Sequence, residues 1–77
     1  MYNKPSPDAI KEFMGRHTLT GSELGKLCGV NSRTVRRWIA PESIQGHWDM
    51  PGAAWALVRI LCGDATPQEI IEELNSE

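Results

Sequence analysis

Residues 20–40 read TGSELGKLCGVNSRTVRRWIA, and this stretch decides the fold. Thr20 and Glu23 stand in T-x-x-E spacing, in which each side chain takes up the other residue's unpaired backbone N–H at a helix start. Leu24, Leu27 and Cys28 follow at i, i+3 and i+4, one apolar helix face. Gly25 is the small residue that a close crossing of two helices calls for. Gly29 falls just past Cys28, where a left-handed backbone often ends a helix and glycine enters it without steric cost. Val30 turns back to the core, and Asn31 can cap a second helix. Val35, Trp38 and Ile39 give that helix its buried face, while Asn31, Ser32, Arg33, Arg36 and Arg37 occupy the other side. The pattern predicts a helix-turn-helix, with helices over about 21–28 and 32–39.

Working outward, Ser6-Pro7 predicts a helix start, a capping hydroxyl followed by proline at the first helical position. Ile10, Phe13 and Met14 make that helix's apolar face over about 7–16, and Leu19 extends the same core. Residues 1–5 read as a flexible arm in which Lys4 is a possible phosphate contact. Arg16 and His17 read as solvated surface, with a phosphate contact as the alternative. Pro41 stops the second helix of the motif. Residues 41–50, PESIQGHWDM, then form a loop, or a short strand, anchored by Ile44 and Trp48 with Gln45, Gly46 and His47 exposed. Pro51 opens a helix over about 51–61 and Gly63 closes it. Ala54, Leu57, Val58 and Leu61 make one of its faces; Ala53, Ala56 and Ile60 make another. A helix apolar almost all round is covered on more than one side, here by the last helix or by a second subunit. Thr66-Pro67-Gln68-Glu69 is a second capping box, opening a helix over about 67–75 with Ile70, Ile71 and Leu74 apolar. The expectation is one all-α domain of five helices.

The 77 residues carry a net charge of −2, which alone argues against a nucleic-acid partner. The distribution argues otherwise. Residues 1–62 hold all eight Lys and Arg against five acids, whereas residues 63–77 hold five acids and no base. Local field near a phosphate matters more than the sum, so the acidic end should face away from DNA or toward a partner. No run is long enough to span a membrane, and the N-terminus lacks the order of a signal peptide, so a cytoplasmic protein is expected. Cys28 and Cys62 lack metal-binding spacing and read as reduced core thiols. His17 and His47 show no spacing that would join them in a zinc site. No catalytic set is evident, and neither an enzyme, a cofactor nor a small-molecule ligand is expected.

Residues 21–40 resemble the lambda-repressor-like (Cro-like) helix-turn-helix family of small phage and bacterial regulators. Leu24, Gly25, Cys28, Gly29, Val30, Val35 and Trp38 carry the resemblance, with Thr34-Val35-Arg36-Arg37-Trp38 especially typical. Position 25 is more often Ala in that family, and Gly in a helix costs roughly 0.5–1 kcal/mol relative to Ala. Position 32 is often a Gln that reads adenine, so the base preference does not carry over to Ser32. In size and layout the chain is also similar to anti-CRISPR-associated regulators and to antitoxins that repress their own operon.

The resemblance implies that the second motif helix enters the major groove, with Asn31, Ser32, Arg33, Arg36 and Arg37 as base readers. Arginine pairs bidentately with guanine O6 and N7, and residues at the start of such a helix reach base edges. Arg37, one helical step from Arg36, can take a phosphate instead. Thr20 and Ser22 with the first helix's N–H groups, Lys26, Gln45 and His47 are the candidate phosphate contacts. One module presents few base contacts, so a homodimer on an inverted repeat is expected, with half-sites about 34 Å apart. Trp55, Ile60, Ile71 and Leu74 are candidates for its interface or, equally, for the monomer core. The function expected is a sequence-specific, autoregulatory repressor of phage, prophage or mobile-element origin. The rival is a protein-interaction module or antitoxin that docks a protein through the same fold.

Overall fold

The computed structural model describes residues 3–76, and among these it is all-helical: α1 (Pro7–Arg16), α2 (Gly21–Cys28), α3 (Ser32–Ile39), α4 (Gly52–Leu61) and α5 (Pro67–Asn75). Met1 and Tyr2 of the arm lie outside the described residues. The helix starts have local causes. Ser6 Oγ accepts the Ala9 N–H, with Pro7 following it. Both capping boxes close reciprocally, Thr20 with Glu23 and Thr66 with Glu69. Asn31 Oδ1 accepts the Thr34 N–H at 2.9 Å to begin α3. Only α4 departs from expectation: Pro51 is its extended N-cap, so the helix begins at Gly52. Gly29 and Gly63 take the left-handed conformation at the ends of α2 and α4, with φ of 75° and 73°.

Ile10 and Phe13 from α1, Leu24 from α2, Val35 and Trp38 from α3 and Val58 from α4 meet in one buried cluster with Met50. Full burial of such a side chain is worth about 1.5–3 kcal/mol. Met50, not Ile44 or Trp48, ties the α3–α4 loop into the core: it is 1% exposed, whereas they are 50% and 51% exposed. An unbranched thioether side chain fills an irregular gap between helices more readily than a rigid indole. No strand forms in this loop.

α4 also corrects a sequence expectation. Leu57 and Leu61 are 44% and 55% exposed rather than sharing the core face with Ala54 and Val58. Ala54, Val58 and Cys62, spaced i, i+4 and i+8, are the stripe that meets the main core. Ala56 and Ile60 pack instead on Ala65, Ile70 and Leu74 in a second cluster. With about 100° between successive residues, two buried faces leave the 53-57-61 stripe as the third, outward one.

Gly25 is fully committed to the α2–α3 contact. A Cβ there would stand 2.5 Å from Val30 O and 3.3 Å from Asn31 C, both backbone atoms of the turn. The Val30 N–H donates to Gly25 O at 2.8 Å, which holds that turn against α2. Helix propensity alone makes Gly25→Ala stabilising by roughly 0.5–1 kcal/mol. The overlap with backbone that cannot rotate away opposes it at about 1–3 kcal/mol, and we expect the overlap to win. Urea unfolding should show a lower midpoint with an unchanged slope; a higher midpoint would mean that the turn yields.

Ion pairs tie the last two helices to the rest. Arg59 donates twice to Glu73, at 3.1 and 2.8 Å, joining α4 to α5. Arg16 bridges Glu12 and Asp64, joining α1 to the α4–α5 turn. His17, expected on the surface, is half-buried, its ring 4.6 Å from that of Phe13 and its Nε2 3.5 Å from Asp64. Hydrogen bonds from Arg16 and Arg59 hold the Asp64 and Glu73 carboxyls below their ordinary values of 3.8 and 4.5. A carboxyl whose pKa falls on folding contributes stability that is complete above its unfolded value and disappears as pH drops through the folded one. Unfolding midpoints should therefore hold steady above about pH 5 and decline below about pH 4.5. The decline should be shallower in an Asp64→Asn/Glu73→Gln variant; an identical decline would place the acid sensitivity elsewhere.

Candidate nucleic-acid interface

α3 is fixed in rotation by Val35 and Trp38, which are 0% and 3% exposed. Its outward side is therefore set. Ser32, Arg33 and Arg36 are exposed there; Arg36 neighbours Ser32 at i+4 and Arg33 at i+3, so the three span one side of the helix. No acid interrupts α3. On α2, Ser22 and Lys26 are exposed. Thr20 accepts the Glu23 N–H as part of its cap, which leaves the hydroxyl proton to be donated.

Three of the sequence-predicted contacts stand differently. Asn31 spends its side-chain oxygen on the Thr34 N–H and hydroxyl, at 2.9 and 3.2 Å, so only its NH2 group is left to reach a base. Arg37 does not point outward with Arg33 and Arg36. Its guanidinium lies 4.4 Å over the Trp48 ring and donates to Gly46 O at 3.3 Å. The Trp48 N–H in turn donates to Arg37 O at 3.1 Å. Arg37 thus holds the α3–α4 loop against its own helix, and a cation over an indole face is attracted by the ring quadrupole. His47, expected to be exposed, keeps only 10% of its side chain in solvent. Its two ring nitrogens lie 2.9 Å from Ala40 O and 2.9 Å from Asp49, so it closes the loop rather than facing a phosphate. Gln45 is exposed as expected. Lys4 pairs with Asp49 at 2.9 Å, which anchors the arm beside this loop.

The expected dimer set is also divided. The Trp55 ring sits edge-on to Phe13 at 5.2 Å and packs with the main core. Ile60 and Leu74 pack around Ile70. Only Ile71 of the four is largely exposed, at 48%. On α4, Arg59 and Ile60 flank Ala56 on opposite sides; on α5, Glu73 and Ile71 flank Ile70 likewise. Because Glu73 binds Arg59, Ile71 falls on the side of Ile60 and of the outward Leu57 and Leu61. These three exposed side chains belong to one side of the α4–α5 pair.

The acidic end is less acidic in effect than in composition. Asp64 and Glu73 are paired with arginines, and Glu69 caps α5. The arginines Arg33 and Arg36 have no such partner among the described residues. Positive charge is thus left unneutralised on α3 while the C-terminal acids are partly cancelled. No family model, curated protein or solved structure matches the chain.

Proposed function

We propose that this chain is a helix-turn-helix domain of the lambda-repressor-like (Cro-like) kind that binds double-stranded DNA in a sequence-specific manner. α3 is its reading helix and lies in the major groove. The observation that carries this reading is the acid-free, exposed Ser32/Arg33/Arg36 face, held opposite a buried Val35/Trp38 face. Arg33 and Arg36 read guanines, and Ser32 makes a shorter, less selective contact. Ser22, Lys26, Thr20 and the first N–H groups of α2 take backbone phosphates, with Gln45 on the loop beyond α3. Two copies join through the Leu57, Leu61 and Ile71 side and place their α3 helices one turn of DNA apart, about 34 Å. A dimer seated on a promoter represses by blocking polymerase.

Selection from a random double-stranded DNA pool tests this, with the Arg33→Ala/Arg36→Ala variant as control. The expected product is an inverted repeat that the control fails to enrich. A single asymmetric site would retain the DNA reading and remove the dimer. No enrichment at low salt, where phosphate contacts are strongest, would remove both and favour a protein partner on the exposed apolar side.

A further inference from the structure

The α3–α4 loop brings together His47, Asp49 and Glu42, one ligand-type atom from each lying within 4.8 Å of the others. The histidine is the informative member. Ala40 O can only accept, so the Nδ1 nitrogen 2.9 Å from it carries a proton. In the neutral ring, Nε2 then presents a lone pair. It faces Asp49 Oδ1, a carboxylate oxygen, at 2.9 Å. Two acceptors at this distance require a positive centre, either a second ring proton or a cation bound to both. A ring N–H donated to a backbone carbonyl is also the arrangement that orients metal-binding histidines and makes the other nitrogen a better ligand.

The surroundings favour a cation further. The loop follows the C-terminal end of α3, the negative pole of that helix. The Lys4 ammonium, 2.9 Å from Asp49 Oδ2, shows that this carboxylate takes a cation, and it is the group an incoming ion would displace. Two ligand atoms 2.9 Å apart, each about 2.0–2.1 Å from an ion, subtend about 90° at it, and spreading to a tetrahedral angle needs a movement of about 0.4 Å. Glu42 is exposed at the start of the loop, where its side chain can swing in.

We propose that this loop binds a divalent transition-metal ion of the zinc type, through His47 Nε2, an Asp49 oxygen and a Glu42 oxygen, with water completing the shell. Imidazole with carboxylates suits zinc and its neighbours better than the oxygen-seeking calcium or magnesium. The ion joins both ends of the loop that Arg37 and Trp48 hold against α3. This site does not depend on the DNA-binding reading.

Calorimetric titration of Zn2+ into the full chain at neutral pH tests it. The expected result is saturable binding of one ion per chain in the micromolar range. Affinity should weaken by roughly tenfold or more in Asp49→Asn and again in Glu42→Gln, since changes to groups that only support a ligand already cost about 10–100-fold. Glu42→Gln keeps the shape of an exposed side chain, so its loss cannot be ascribed to misfolding. Lys4→Met should tighten binding by removing a competing ammonium, and Cys28→Ser/Cys62→Ser should leave it unchanged. Absence of saturable Zn2+ binding, unchanged affinity in either carboxylate variant, or loss of binding in the cysteine variant would each overturn the assignment. So would tighter binding of Ca2+ than of Zn2+.

Discussion

Replacing Arg33 and Arg36 together by alanine should remove specific DNA binding while leaving the fold intact. Each arginine paired with a guanine is worth about 1–3 kcal/mol of discrimination. Losing both costs roughly 30-fold or more in affinity for each half-site. Both side chains are exposed on α3, and surface changes of this kind usually alter stability by no more than about 0.5 kcal/mol. Titration against the selected operator, beside urea unfolding of the same variant, separates the two effects. Lys26→Ala provides the contrast. As a phosphate contact, Lys26 should weaken all sequences about equally and lower the salt slope by about 1. Retention of operator affinity by the double arginine variant would sink the reading of α3 as the recognition helix.

How much of this was legible in the residues differs from element to element, for physical reasons. The helix starts were legible because caps are local: Ser6, Thr20, Asn31 and Thr66 each act on an N–H three residues away. The faces of α1 and α3 were legible because each has one apolar stripe. α4 was not, since it is apolar on three sides and periodicity cannot say which two are covered. That is why periodicity groups Leu57 and Leu61 on one face with Ala54 and Val58, and leaves Trp55 open between core and interface. The α3–α4 loop was misread for a related reason. Trp48 is large and apolar, which argues for burial, yet its partner is the Arg37 guanidinium eleven positions earlier. Nothing in local spacing signals a cation-over-ring contact between a helix and its following loop. The same contact takes Arg37 off the exposed face of α3 and leaves Arg33 and Arg36 there, with Arg37 as a brace on the loop. At Gly25, a family-based expectation and a propensity argument both favoured alanine. Only the position of Val30 O, set by the turn, shows why glycine stands there.

Phe13→Ala should produce the largest loss of stability of any single core substitution in the chain. Phe13 is 0% exposed and packs with Ile10, Leu24, Val35, Trp38, Met50 and Val58. Its ring also meets His17 at 4.6 Å and Trp55 at 5.2 Å, and the Arg16 guanidinium lies 5.9 Å from its centre. Truncating a buried Phe to Ala typically costs 3–5 kcal/mol, about the transfer of the lost ring plus the cavity left behind. A single domain has only about 5–15 kcal/mol in total, and one this small sits toward the lower end. The variant should therefore be substantially unfolded near its wild-type working temperature, while Phe13→Leu, which fills most of the space, should unfold between the two. Because Val35 and Trp38 of α3 rest in the same cluster, the variant should also lose DNA binding, but in a way unlike the arginine variant. Binding should return on cooling or with an added stabilising osmolyte, since the reading side chains are intact and only the folded fraction has fallen. Arg33→Ala/Arg36→Ala should show no such recovery. If the Phe13→Ala protein proved fully folded by urea titration and still failed to bind, α1 would have to act on DNA directly rather than by holding α3 in place.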